Sequence, residues 1–384
     1  MIMKIVIDNC VPLNNGDAAL IFSVGEKFEN ENQVIYNTNN FEKVKEKYPE
    51  TSWSRSLLDR RIYRFIWKVL PFLNKIIFFF PIILKKEYRQ SDAIISAPGG
   101  YIHSYYGIEF RMYILYLCKK ILKKKVGIYS QSIGNLTRSD QKIFIKYATN
   151  LDFIFVRDEI SYRRVLEYGD LKNVYLTKDA AFLLGKKDLQ DKIDKKKRKV
   201  AISVRSWDKE GRSKTRYYDL IGTIINICLE KDFEIVFLST CQGLDDYVDD
   251  SKVAEDIIKT LNLKECTSIS IDSDYHDLNE LQCAIRDFDF VIGTRLHMCI
   301  LSLLNSVPAF NISYEEKGKA TYEYLDIADY SIDYNNENNI AEKLEVFFEI
   351  DEFRRETLSK KIKTIIAEQE DFFEIAEQLI IEGK

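Results

Sequence analysis

The chain has 384 residues, with 56 basic against 60 acidic side chains and a formal net charge of −4. That balance argues against a nucleic-acid binder working through bulk positive charge. Hydrophobic residues at 46% and charged residues at 30% exclude an intrinsically disordered chain, and at roughly 100–200 residues per domain the length points to two domains. Met1–Asp8 (MIMKIVID) reads as a buried first strand rather than a secretory leader. Short apolar runs then alternate with helical patterns, the mark of a parallel α/β architecture. Strands are expected at Lys4–Asp8, Gln33–Tyr36, Ala93–Ser96, Lys125–Ser130, Phe153–Val156 and Val174–Leu176. Helices are expected at Ala18–Phe28, Phe110–Lys123, Ser139–Ala148 and Ile160–Tyr168.

One stretch interrupts that alternation: Arg60–Lys86, RRIYRFIWKVLPFLNKIIFFFPIILKK. Its uncharged core Ile76–Leu84 falls short of the ~20 apolar residues a membrane-spanning helix needs. Pro71 and Pro81 also break a continuous helix. Three readings stay open: core helices of the first domain, an oligomer contact, or a basic aromatic segment lying on a membrane. In the last, Arg60, Arg61, Arg64, Lys68 and Lys75 would face the headgroups.

Lys186–Lys199 (KKDLQDKIDKKKRK) has many charges and little to bury, as a solvated connector would. Alternation restarts after it. Strands are expected at Val200–Val204, Glu234–Leu238, Phe290–Ile292 and Ala309–Ile312, with helices at Tyr217–Lys231, Asp250–Leu261, Asp277–Asp287 and Met298–Leu304. Ile340–Gly383 is a long amphipathic helical pattern. The expected architecture is two Rossmann-like α/β domains facing a cleft. Residues 1–185 form the first, with 60–86 as its candidate membrane-facing segment, 186–199 the connector and 200–350 the second. Residues 351–384 form a helix able to pack back across the boundary. The seven cysteines are scattered without Cys-x-x-Cys spacing, which fits buried thiols in the cytoplasm and offers no zinc site.

Many strand ends run into Gly, Arg, His or Asp, and ligands of such folds bind beyond the carboxyl ends of the strands. Asn14-Asn15-Gly16-Asp17 leads straight into a helix. Its backbone N–H groups suit an anion, although taken alone it reads first as an ordinary cap by Asp17, with Gly16 serving the turn. Gly99-Gly100-Tyr101-Ile102-His103, Gln131-Ser132-Ile133-Gly134, Arg157-Asp158 and Arg205 end further strands. The densest cluster is Gly293-Thr294-Arg295-Leu296-His297, followed by Tyr314-Glu315-Glu316-Lys317. Arginine grips carboxylate or phosphate through two parallel hydrogen bonds, and histidine moves protons near neutral pH. His276, before Asp277, reads as helix-cap chemistry, and Tyr101, Tyr105 and Tyr106 as rings for a sugar face or for the core.

With these pieces the sequence resembles the polysaccharide pyruvyltransferase family. The matching segments, in the family's order, are Asn15-Gly16-Asp17, Gly99-Gly100, Gln131-Ser132-Ile133-Gly134, Val156-Arg157-Asp158-Glu159-Ile160-Ser161 and Asp179-Ala180-Ala181. Arg295-Leu296-His297, Val307-Pro308 and Tyr314-Glu315-x-Lys317 follow. Asn135, Asn305-Ser306 and the absence of an early glycine before Asn14 depart from the pattern. The resemblance implies a GT-B-like fold and transfer of pyruvate from phosphoenolpyruvate to two hydroxyls of a sugar, closing a cyclic ketal in exopolysaccharide or cell-envelope synthesis. It implies donor binding by Arg157, Arg205, Arg295, Lys317 and the Gly134 turn, with His297 as general acid and Asp17 at the attacking hydroxyl. Asn15, Gly16, Gly99, Gly100, Tyr101 and His103 are the expected acceptor residues. No metal or resident cofactor is expected, phosphoenolpyruvate being a co-substrate. The acceptor is a free or lipid-linked oligosaccharide, the setting the cytoplasm or the inner membrane face, and oligomerisation stays open. A nucleotide-sugar glycosyltransferase and a non-catalytic scaffold of an envelope assembly are the alternatives.

Overall fold

All ten expected strands are present in the computed structural model, and four short ones join them. The structure describes residues 2–69, 73–185, 198–206, 213–245, 247–335 and 339–381. The strands are β1 (Lys4–Cys10), β2 (Gln33–Thr38), β3 (Trp53–Arg55), β4 (Ala93–Ser96), β5 (Gly99–Ile102), β6 (Lys125–Ile133), β7 (Phe153–Val156) and β8 (Val174–Leu176). They continue with β9 (Lys199–Ser203), β10 (Glu234–Phe237), β11 (Ile269–Ile271), β12 (Phe290–Gly293), β13 (Ala309–Ser313) and β14 (Ser331–Asp333). The additions β3, β11 and β14 are three-residue strands at sheet edges, too short to show a hydrophobic period.

The chain divides into two units. The first comprises residues up to Leu13, Asp17–Leu183 and the segment from Ala367 onward; the second comprises Asn14–Gly16 and Leu184–Ile366. Of the expected connector, residues 186–197 lie outside the described residues, and Lys199 already opens β9.

The first unit carries a sheet in the order β3-β2-β1-β4-β6-β7-β8, with β5 paired to β6. The second carries β11-β10-β9-β12-β13-β14, and every pairing in both sheets is parallel. Parallel sheets are covered on both faces and need continuous apolar strands, which FIFV in β7 and FVIG in β12 supply, buried at every position. Strand order reverses between β1 and β4 in the first sheet and between β9 and β12 in the second. Ser203 at the end of β9 lies beside Gly293 at the end of β12. Arg205 and Arg295 thus follow the two strands that flank this switch point, the position where open α/β sheets place their ligands.

Two expectations need correction. The Ile340–Gly383 pattern forms two helices, Ile340–Phe348 and Glu352–Ile381. The break falls where Ile350 turns inward, and Asp351 Oδ1 accepts the Arg354 N–H at 2.8 Å as a new cap. Burial of the cysteines is not general, because Cys283 is exposed and Cys266 half-buried.

The later half of the helix Glu352–Ile381 belongs to the first unit. Gln369, fully buried, accepts from Thr177 Oγ1 (2.7 Å) and Lys178 N–H (3.1 Å) and donates to Tyr129 Oη (3.3 Å). Phe373 packs against Phe28 and Tyr129.

Candidate active site

In the second unit, Arg295 stands between β12 and the helix Leu296–Leu304. Its Nε and Nη2 donate to the two oxygens of Asp250, each at 2.8 Å, the bidentate fork that guanidinium geometry favours. Asp250 is fully shielded from solvent and also accepts from Ser239 Oγ at 2.9 Å. Burial by itself would depress the Arg295 pKa, but the Asp250 charge and its hydrogen bonds outweigh it and push the pKa up. The cation is therefore permanent, rigid and internally compensated.

Arg205 extends the same end of the sheet. Its backbone N–H donates to Tyr217 Oη (3.3 Å), which is 2.9 Å from Thr294 Oγ1, so one buried phenol ties the loops after β9 and β12 together. The Arg205 guanidinium lies 4.4 Å from the centre of the Tyr314 ring and donates to its hydroxyl. Glu315 then bridges two cations: one carboxylate oxygen is 3.8 Å from Arg205 Nη1 and the other 2.8 Å from Lys317 Nζ.

The Asn14–Gly16 turn joins this group. The Asn15 N–H donates to the Thr240 carbonyl (2.7 Å), and its side-chain amide donates to the His276 carbonyl (2.9 Å). Gly16 lies directly on the His297 imidazole, where an added Cβ would come within 2.9 Å of Nδ1. Only a residue without a side chain permits that approach. Asn15 and Gly16, expected on the acceptor side, are thus grouped by the fold with His297. Asp17 is the third residue of the helix Asn15–Glu29 rather than its cap, and it belongs to the first unit. His276 is not the cap either: Asp277 caps the next helix in a reciprocal box with Glu280. The His276 Nε2 instead pairs with Asp272 Oδ2 at 2.9 Å, which holds the carbonyl that Asn15 grips.

The remaining candidates lie in the first unit. Arg157 donates from Nη1 to Asp179 Oδ2 and from Nε to Ser132 Oγ, both at 2.7 Å. Both charged side chains are at most 5% exposed. Ser132 Oγ continues to Asp158 Oδ2 (2.8 Å), and Asp158 Oδ1 caps the helix Glu159–Tyr168 through the Ser161 N–H (2.7 Å). Three motifs read separately in the sequence therefore form one buried network. An added Cβ on Gly100 would lie 3.8 Å from Arg157 Nη2, while one on Gly134 would meet His103 Cδ2 at 2.1 Å. His103 Nδ1 accepts the Tyr105 N–H (3.0 Å), so its imidazole is packed on Gly134 and tied to its own turn. Gly99-Gly100 belong to strand β5 rather than to a free turn. Tyr101 is anchored by Ser96 (2.7 Å) and the Ala97 carbonyl, with the Arg111 guanidinium 5.1 Å from its ring centre. Tyr105 and Tyr106 are the rings that stand in solvent.

The carboxylate Asp250 and the anchors Thr240 and Asp272 had no sequence signal as site residues. Asp179 and Glu315 stand in motif segments, but their pairing with Arg157 and Arg205, like that of Asp250 with Arg295, appears only in the fold.

Two parallel sheets of this topology, each with motif residues at its strand ends, define the GT-B class of α/β proteins. The glycosyltransferase from Rickettsia africae ESF-5 has the same fold, with a TM-score of 0.64 at 11% identity over 100% of both chains. The UDP-GlcNAc 2-epimerase from Methanocaldococcus jannaschii superimposes with a TM-score of 0.57 at 13% identity, over 91% of this chain and 92% of that one. Within the class, the chain belongs to the polysaccharide pyruvyl transferase family, whose profile matches residues 15–316. The amylovoran biosynthesis protein AmsJ of Erwinia amylovora is 27% identical over 314 residues, covering 75% of this chain and 74% of that protein.

Proposed function

We propose that this protein transfers pyruvate from phosphoenolpyruvate to two hydroxyls of a sugar in a lipid-linked oligosaccharide, forming a cyclic ketal and releasing phosphate during exopolysaccharide synthesis. The observation that carries the reading is the closure of the Asn14–Gly16 turn on His297, beside the Arg295–Asp250 fork and the two cations sharing Glu315. Family membership and the similarity to an amylovoran biosynthesis protein support it.

Phosphoenolpyruvate has a carboxylate and a phosphate on one carbon. Arg205 and Lys317, already spaced to share one carboxylate, suit one of these anions, and Arg295 suits the other. His297 as imidazolium gives its proton to the methylene carbon, which becomes the methyl group and leaves positive charge on the adjacent carbon. A sugar hydroxyl bonds to that carbon, with Asp17 orienting it or taking its proton. The carbon–oxygen bond to phosphate breaks, and the second hydroxyl closes the ring. Of the two hydroxyl protons, one restores the imidazolium and the other leaves with phosphate. Arg157 and the Gly134 turn act here by holding the strand ends of the first unit. Gly99, Gly100, Tyr101 and His103 of the first unit are assigned to the acceptor, with Gly100 the exposed residue among them. No resident cofactor takes part.

The test is phosphate release from phosphoenolpyruvate with and without a panel of hexosides, paired with mass spectrometry of the sugar. Release only with acceptor, together with the mass of a ketal adduct, is the expected result. Transfer of a sugar from a nucleotide sugar, with phosphoenolpyruvate left intact, would replace this reading.

A further inference from the structure

The helices Arg61–Val69 and Asn74–Leu84 of the first unit bury only part of their apolar surface. Tyr63, Ile66, Trp67, Phe78 and Ile82 pack into the unit's core, with Trp67, Phe78 and Phe110 meeting edge to face. On the other side Ile62, Phe65 and Val69, then Leu73, Ile76, Phe80 and Leu84, are 47–70% exposed. Both sets follow the i, i+3, i+7 spacing that places residues on one helix face. Seven of the seventeen large hydrophobic residues exposed among the described residues thus fall between Ile62 and Leu84. So dense a cluster marks an interaction surface rather than ordinary scatter.

Charge identifies the occupant. Arg60–Lys86 contains seven basic residues and no acidic one, in a chain whose net charge is −4. Glu109 pairs with Lys75 and Glu87 with Lys85, while Arg60, Arg61 and Lys86 are exposed. A two-fold contact with a second copy would set this positive segment against itself. A span is excluded for these helices, since no helix among the described residues is long and apolar enough to cross a membrane. Exposed apolar side chains flanked by arginine and lysine match an anionic bilayer surface, where the rings enter the headgroup boundary and the cations meet lipid phosphates.

We propose that this face docks the first unit onto an anionic lipid bilayer, both helices lying in the plane of the interface. The inference stands apart from the donor chemistry, because its readout is partition and not turnover.

The full chain is floated with phosphatidylcholine vesicles, with and without phosphatidylglycerol, at low and high salt. The expected result is flotation with phosphatidylglycerol vesicles at low salt, and release at high salt or when the anionic lipid is omitted. Removing the exposed charges in Arg60→Gln and Arg61→Gln should weaken partition about fivefold each. The triple change Phe65→Ser, Ile76→Ser and Phe80→Ser should abolish it. Thermal melting checks that these surface variants fold, and the wild-type salt series decides the matter without them. Recovery of the wild-type protein away from anionic vesicles at low salt overturns the proposal. So does equal flotation of the folded triple variant, or a concentration-dependent dimer that the triple change dissolves.

Discussion

Gly16 and His297 are 281 positions apart in the chain and touch in the fold. Because an added Cβ on Gly16 would press 2.9 Å from the imidazole Nδ1 and 3.1 Å from Asn14 Oδ1, Gly16→Ala tests position and His297→Ala tests chemistry. His297→Ala should lower ketal formation by about a hundredfold or more, the usual contribution of a general acid. Gly16→Ala should impair turnover while the melting temperature stays near wild type, since the atoms that must give way belong to the side chains of His297 and Asn14 and not to the backbone. Phosphate release at saturating phosphoenolpyruvate measures both, and full activity in His297→Ala would remove it from the mechanism. The cations and the imidazole were legible in the sequence because arginine and histidine stand out at strand ends. Their partners were not: Asp250 meets Arg295 across 45 positions, and one chain read alone contains no trace of that pairing.

Among the elements, the end of β6, the loop after β7 and the segment at Asp179 are locked by Arg157. Breaking a buried ion pair by deleting one partner typically costs about 3–5 kcal/mol, because the remaining charge has no water to replace it. Asp179→Ala should therefore lower stability by about that amount in urea denaturation, more than any effect expected from the exposed pair Arg163–Glu159. A loss near zero would mean that water reaches Arg157. The same scale explains what the sequence hid. Strands such as β7 and β12 announce themselves as unbroken apolar runs. By contrast β5 opens with two glycines, which are poor strand formers, and reads as a turn until pairing with β6 reveals it. The tail pattern runs through Ile350 without interruption, so its break is set by the cap at Asp351 rather than by any loss of period.

At the scale of the whole molecule, neither unit is a continuous piece of chain. Asn14–Gly16 complete the second unit, and residues from Ala367 onward complete the first. Phe373, Ala376 and Ile380 are all buried, as is Gln369. A chain shortened at Ala367 should therefore lose the cooperative melting of the first unit, followed by calorimetry, rather than merely shed a surface helix. That interleaving has a consequence for biosynthesis. Domains ordinarily fold in order as they leave the ribosome, but here β1 to β8 emerge long before the helix that covers Tyr129 and Phe28. The turn at Gly16 is made 281 residues before His297, and its contact cannot exist until then. The first unit must wait with part of its core open while Leu184–Ile366 is made, which makes that interval the period when the nascent protein most needs a chaperone.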